Sequence, residues 1–343
     1  MKTYLTKEIT SIPVVPASER KGIIGGSQVG CLVDIPGCYG TEFDVYRAYM
    51  GIQEDATPSM LEAFHAGNML EGPIAQWFAN DIKQPVKELD VQYIDPEEPR
   101  LVLHPDREFV NPINGKRYAL ECKTASSYAM RGDKWPDPVV MDRDRVPGFV
   151  PDTLDNGLPL TIYDGASVLP GYYCQCLWYM ALAGYDGVFL ARLTDNRLYI
   201  YFVEPDLENE KILYDAARNW LKKVDAGYRP SPTTLAQARM LFPREEKGKV
   251  HVCDDAFLEN IAKYEGLNLQ KKSIEQQMDE VKANIAEAMG DAEIAKNADG
   301  DKICTFKVGS QTRFDTTTFK IVEPELYKQY SKTTEVARTL RIS

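Results

Sequence analysis

Apolar positions along this chain change period several times, and each change marks an element. Residues 116–124, KRYALECKT, place Tyr118, Leu120 and Cys122 on one side and Glu121 and Lys123 on the other. That two-residue alternation is the pattern of a half-buried strand. Strands are also expected over 86–94 and 99–104. Asn111-Pro112-Ile113-Asn114-Gly115 supplies turn chemistry before 116, and its Asn-Gly is a strong hairpin signal. A second hairpin is expected from 188–193 and 198–203 around Thr194-Asp195-Asn196-Arg197. Helices are expected over 41–50, packing through Phe43, Tyr46 and Ala48, over 58–81, carrying Glu71, and around Gln175. A fourth, over 206–226, is expected to pack through Leu207, Ile212, Ala216, Trp220 and Val224. Strands interleaved with helices make the core α/β.

The pattern shifts after Tyr228. RPSPTT reads as a linker and PREEKGK as a charged connection. A long helix follows over 254–289, with a break expected near Gly266. Ile274, Met278, Val281, Ile285 and Met289 form an apolar seam, read as packing on its own domain rather than as an intermolecular coiled coil. Asp299-Gly300 turns a hairpin into KICTFKV, and the tail ends with Arg338 and Arg341. The expected organisation is an N-terminal arm at 1–19, a main domain at 20–230 and a C-terminal extension at 231–343. Between Lys123 and Gln175 the stretch 125–168 is rich in Pro, Asp and Gly. It reads as an inserted loop or lid at the mouth of a site.

The 343 residues are 44% hydrophobic and 10% aromatic, enough for a full core and a smaller module. A net charge of −11 argues against a broadly basic surface that binds nucleic acid passively. It leaves room for a local basic strip. Seven cysteines at irregular spacings read as free thiols of a reducing compartment. Cys174 and Cys176 flank Gln175 on a helix, where i and i+2 side chains diverge. The three histidines lie far apart and give no zinc pattern. No apolar run approaches the ~20 residues of a membrane span, so a soluble, cytoplasmic protein is expected.

The candidate chemistry centres on Glu121 and Lys123. On one strand face they stand roughly 7 Å apart, at about 3.4 Å per residue. His104-Pro105-Asp106 precedes Glu121 by fifteen residues and can bring a second carboxylate from a neighbouring strand. Two carboxylates supply the hard oxygens that Mg²⁺ prefers. The lysine can orient or deprotonate a water. Taken alone, Glu-x-Lys is equally an ion pair on an exposed strand.

Five blocks in order resemble the lambda-exonuclease and YqaJ-type viral recombinase branch of the PD-(D/E)xK nucleases. They are RKGIIGGSQVG at 20–30, GNMLEGPIAQWF at 67–78, HPD at 104–106, ECK at 121–123 and YYCQCLWYMALAG at 172–184. Arg107 departs from the family's usual glycine after the aspartate, and Lys123 and Gln175 are further apart than expected. The resemblance implies a PD-(D/E)xK restriction-endonuclease-like core, a mixed central sheet flanked by helices, with a C-terminal helical and β-hairpin extension.

It further implies a Mg²⁺-dependent deoxyribonuclease, with Mn²⁺ able to substitute. Asp106, Glu121 and the backbone carbonyl of Cys122 would be direct ligands, and Glu71 would act through water or at a second metal. Lys123 would position the attacking water, and Gln175 would hold the scissile phosphate or Lys123. Arg20, Gly25, Gly26 and Ser27 resemble a pocket for a 5′-terminal phosphate, with backbone N–H groups, a hydroxyl and a guanidinium as donors. The implied activity removes one strand of duplex DNA from its end, 5′ to 3′. The implied partners are double-stranded DNA ends, a single-strand annealing protein and further copies of the chain in a ring, often trimeric. The implied compartment is the host cytoplasm. A structure-specific endonuclease and a catalytically silent DNA-end-binding scaffold are the alternatives.

Overall fold

The computed structural model describes residues 10–13, 21–38, 40–52, 57–125 and 135–342. Two compact units divide the chain, Met1–Leu241 and Phe242–Ser343. The first holds a six-stranded mixed sheet, a three-stranded antiparallel sheet and the helices that cover them.

The six-stranded sheet runs β2(Lys87–Glu88), β5(Arg107–Val110), β6(Arg117–Ala125), β8(Val188–Thr194), β9(Arg197–Val203) and β7(Ile162–Asp164). Its centre is the parallel pair β6 and β8, in which Glu121 stands opposite Leu190 and Lys123 opposite Arg192. The remaining pairs are antiparallel except β9 with β7. On β6, Tyr118, Leu120 and Cys122 enter a cluster with Phe109, Phe189, Phe202 and Phe78, as the alternation requires. Ala119 enters the cluster on the opposite face.

The expected strand at 86–94 is two strands in different sheets. Lys87–Glu88 joins the main sheet, whereas β3(Val91–Ile94) pairs with β4(Val102–Leu103) and with β1(Thr10–Pro13). A bend at Asp90 separates them. Part of the expected arm is therefore a strand of the second sheet. The strand expected at 99–104 is short, and Arg107–Val110, not anticipated from the pattern, lies between it and β6.

Helix α3(Pro58–Ile82) starts where the Thr57 hydroxyl accepts from Met60 N and Pro58 presets the first turn. It ends at Lys83, in the left-handed conformation. Only its second half is buried, through Ile74, Ala75, Phe78 and Ile82. Helix α4(Pro170–Ala183) runs from a proline to Gly184, whose positive φ of 67° closes it. Nine of its fourteen residues are buried. Trp178 Nε1 donates to the Val102 carbonyl at 2.8 Å and ties α4 to the smaller sheet.

Three expectations are adjusted. In α2(Glu42–Tyr49), Phe43 is buried and Tyr46 packs against the core as expected, Val45 is buried in addition, and Ala48 is only half-buried. In α5(Leu207–Asp225), Leu207 and Ile212 are about half exposed, and Leu213, Ala217, Trp220 and Leu221 face the core. Trp220 and Val224 pack as expected, whereas the first part of the face lies on Leu213 and Ala217 rather than on Ile212 and Ala216; Glu210 is buried beside them and accepts from Asp206 N at 3.1 Å.

The third is the 125–168 segment. Its described part, from Trp135, is built into the domain: Met141, Val146, Val150 and Ile162 join the core, and Ile162–Asp164 is an edge strand. It is a structural layer with sparse apolar anchors, not a lid. Residues 126–134 lie outside the described residues. α6(Leu235–Leu241) belongs to the first unit, where Gln237 Nε2 donates to Thr41 Oγ1 and Asp44 Oδ2, each at 3.0 Å.

The second unit contains α7(Asp255–Met289), thirty-five residues capped by Asp254 and unbroken at Gly266. None of its residues is buried; Ile274, Met278, Val281 and Ile285 are each about half exposed, so most of the seam is uncovered, while Met289 meets Cys304 Sγ at 3.5 Å. A hairpin, β10(Ile294–Lys296) with β11(Lys302–Thr305), and short helices α8(Thr316–Val322) and α9(Pro324–Tyr330) complete it. No described helix is long and apolar enough to cross a membrane. Each of the seven cysteines is a free thiol.

Candidate active site

Glu121 and Lys123 project from the same face of β6, and Lys123 Nζ donates to Glu121 Oε1. The same oxygen accepts from Gln175 Nε2 on α4 at 2.7 Å. The second N–H of that amide goes to Tyr179 Oη, also at 2.7 Å, and Tyr179 in turn donates to Glu121 Oε2 at 2.8 Å. Both carboxylate oxygens of this buried glutamate are thus held by side chains of its own domain. Gln175 grips Glu121, not Lys123.

Asp106 enters from the bend before β5, and its Oδ2 accepts from Cys122 N at 2.6 Å. This bond ties the aspartate to the strand that carries Glu121 and Lys123. Burial pushes the Asp106 carboxyl well above its ordinary range, and the charges of Glu121 and Glu71 add to that while Lys123 opposes it. Burial works to lower the Lys123 pKa, but Glu121 and Asp106 outweigh it and the net shift is upward. The two carboxylates thus favour the ammonium form of Lys123. Its Nζ also lies 4.9 Å from the centre of the Tyr172 ring.

Glu71, on α3, faces Asp106 across a hollow of about 270 Å³ that Lys123, Cys122, Thr124, Tyr172, Gly67 and Asn68 also line. Arg107 Nη1 donates to Glu71 Oε1 at 2.6 Å and to the Asp106 carbonyl at 2.5 Å. Where the resemblance leads one to expect glycine, a largely buried guanidinium clamps the third carboxylate.

Gly25, Gly26 and Ser27 line a different hollow, of about 280 Å³, together with Gln175, Tyr179 and His104. A Cβ on Gly26 would stand 3.1 Å from Gln175 Cγ and from Tyr179 Cε1. Glycine here permits the close approach of α1(Gly26–Val29) to α4. Glu121, bound to both Gln175 and Lys123, stands between the two hollows. Arg20 lies outside the described residues.

The donor chemistry suits a hard divalent cation. Asp106, Glu121 and the Cys122 carbonyl offer oxygens, and burial together with the charges of Glu121 and Glu71 raises Asp106, an electrostatic strain that a bound cation would relieve. Among the described residues, no three His, Cys, Asp or Glu side chains form a metal-holding group. Two carboxylates with water are nonetheless a usual Mg²⁺ environment.

Tyr179 carries no site signal in the sequence, and Arg107 stands out there only as a departure from the resemblance. A tyrosine in an apolar helix reads as core, and only its spacing of four from Gln175, one helical turn, places the two side chains together. The partner of Arg107 on α3 is not legible in the sequence.

Residues 17–186 match the model of the YqaJ-like viral recombinase domain. Among solved structures, an alkaline exonuclease from Laribacter hongkongensis is similar at 14% identity, covering 62% of this chain and 92% of its own, with a TM-score of 0.41. A phage-related exonuclease from Haemophilus somnus 129PT is similar at 11% identity, covering 60% and 96%, with a TM-score of 0.34. No curated protein matches. Residues 17–186 of the chain thus make up a YqaJ-like viral recombinase domain.

Proposed function

We propose that this protein is a divalent-metal-dependent deoxyribonuclease that removes one strand of linear duplex DNA from its end, 5′ to 3′. The observation that carries the reading is the single hydrogen-bonded constellation of Glu121, Lys123, Gln175 and Tyr179, with Asp106 bonded to the strand between the first two. The YqaJ-like domain supports it.

Asp106, Glu121 and the Cys122 carbonyl would hold Mg²⁺, with Glu71 reaching it through water. Bound there, the cation supplies Lewis acidity toward a phosphoryl oxygen and lowers the pKa of a water. Lys123, kept charged by its acidic neighbours, orients the water and offsets charge on the phosphate. Gln175 and Tyr179 fix the Glu121 carboxylate, so its orientation is set before substrate arrives. Gly25, Gly26 and Ser27, with Arg20, would receive the 5′-phosphate in the neighbouring hollow.

The same reading includes a ring-shaped homo-oligomer, a single-strand annealing partner for the 3′ overhang, and action in the host cytoplasm. The test is digestion of 5′-labelled and 3′-labelled linear duplex beside closed circular plasmid, with Mg²⁺ and with chelator. Loss of the 5′ label as mononucleotide, sparing of the circle and arrest by chelator are expected. Cleavage of the circle would replace the exonuclease reading with an endonuclease.

A further inference from the structure

We propose that the buried donors around Arg192 on β8 form a binding site for a phosphate-class oxyanion. Arg192 is fully buried, and none of its three nitrogens makes a hydrogen bond of good geometry to a described residue, the Tyr201 hydroxyl being the nearby group that bears on it most. Three further buried atoms lack a hydrogen bond of good geometry, Thr194 Oγ1, Tyr201 Oη and Trp135 Nε1, although Tyr201 stands close enough to Trp135 and Arg192 to bear on both. They belong to one locality. Arg192 and Thr194 share a face of β8, and Tyr199 and Tyr201 stand on the adjoining strand β9. The guanidinium carbon lies 4.5 Å from the centre of the Trp135 ring, 4.4 Å from Tyr199 and 5.3 Å from Tyr201.

The rings stabilise the cation through their faces, but they do not satisfy N–H groups that radiate in the guanidinium plane. Burial pulls the Arg192 pKa down, and the largest opposing contributions come from Tyr201, Tyr199 and Tyr163, none of them a carboxylate, with Tyr201 also acting through a hydrogen bond. A buried charge without a counter-ion is costly. The set is rich in donors: five N–H bonds of the guanidinium, the indole N–H and two hydroxyls. A ligand that satisfies it must be an acceptor on several sides and carry negative charge.

A tetrahedral oxyanion meets donors from β8, β9 and Trp135 at once, and arginine offers phosphate a bidentate fork. The site adjoins the candidate active site, because Arg192 is the register partner of Lys123 and Tyr172 lies 5.4 Å from Trp135, ring to ring. The inference does not depend on the nuclease reading, since the donors need an acceptor whatever the neighbouring site does.

The experiment is thermal unfolding of the full chain in inorganic phosphate against chloride at matched ionic strength. The wild-type midpoint is expected to rise with phosphate, and Arg192→Met, close in volume and uncharged, is expected to lose the rise. Should Arg192→Met fail to fold, Thr194→Val and Tyr201→Phe each remove one hydroxyl with little change of shape. Each is expected to raise the half-saturating phosphate concentration by roughly two- to tenfold. A short 5′-phosphorylated oligonucleotide beside its 5′-hydroxyl form identifies the source. Stabilisation by the phosphorylated form assigns a strand end, and stabilisation by inorganic phosphate alone assigns the free ion; either supports the site. A wild-type midpoint indifferent to phosphate, or a response the variants keep in full, overturns it.

Discussion

Gln175 and Glu121, fifty-four residues apart, meet through a 2.7 Å hydrogen bond between helix α4 and strand β6. Tyr179 closes the arrangement from the next helical turn, accepting from Gln175 and donating to the other carboxylate oxygen. Tyr179→Phe leaves that buried oxygen one donor short, at a cost of about 1–3 kcal/mol in stability. Loss of an orienting partner of this kind lowers activity by roughly ten- to a hundredfold. Urea unfolding and cleavage of labelled duplex measure the two effects. A phenylalanine variant of full activity would show that Glu121 needs no support from α4.

The β6 face was legible in the sequence because a strand's period is two: once Tyr118, Leu120 and Cys122 are apolar, Glu121 and Lys123 must share the other side. Its partners were less so. Arg107–Val110 is four residues long, too short to declare a period. The layer after Trp135 hides its anchors, Met141, Val146 and Val150, among prolines and acids. On α5 the spacing locates Trp220 and Val224 but sets the earlier part of the face one residue early, on Ile212 and Ala216 rather than Leu213 and Ala217. The α7 seam has helical spacing and still stands mostly exposed, since periodicity states which residues align and not what covers them.

Lys123→Ala is expected to abolish cleavage, with the protein still folded and still binding DNA. The pair it breaks also contributes to stability. Burial acts to lower the Lys123 pKa, yet Glu121 and Asp106 raise it on balance above the ordinary value of 10.5. A group whose folded pKa is raised contributes fully below its unfolded value and loses that contribution as pH climbs through the folded one. The stability difference between wild type and Lys123→Ala, roughly 1–3 kcal/mol, should therefore stay constant from pH 6 to about pH 9. Denaturation midpoints that converge within that range would mean that Lys123 titrates there and acts as a base.

Arg107 supplies positive charge to the acidic hollow through Glu71 at 2.6 Å. Arg107→Gln keeps hydrogen-bonding capacity and removes the charge, leaving Asp106, Glu121 and Glu71 with Lys123 alone to oppose them. Divalent cations should then stabilise the variant more than wild type, because binding to the folded state raises its midpoint by an amount that grows with the logarithm of affinity. Ca²⁺ is the probe, since it occupies oxygen sites with looser geometry than Mg²⁺. Equal midpoint shifts with Ca²⁺ in the two proteins would remove Arg107 from the metal's surroundings.

The hollow lined by Gly25, Gly26 and Ser27 reaches the same Gln175 and Tyr179 that hold Glu121, so an anion bound there would sit one residue away from the carboxylate. Ser27→Ala removes a hydroxyl from an exposed position and leaves the approach of Gly26 to α4 untouched. Arg20→Ala removes the guanidinium assigned to the same phosphate. Losing a charge-assisted bond costs on the order of 1.5–3 kcal/mol, or about one to two decades in rate. Arg20→Ala should slow digestion of 5′-phosphorylated duplex by that factor and leave 5′-hydroxyl duplex nearly unchanged, with Ser27→Ala showing a smaller effect of the same sign. Gly26→Ala is the steric control: its methyl group presses on Gln175 and Tyr179 and should slow both substrates alike. Wild-type protein that digests both ends at one rate would make the glycine turn a packing feature, and the 5′ to 3′ polarity would lose the residues that argue for it.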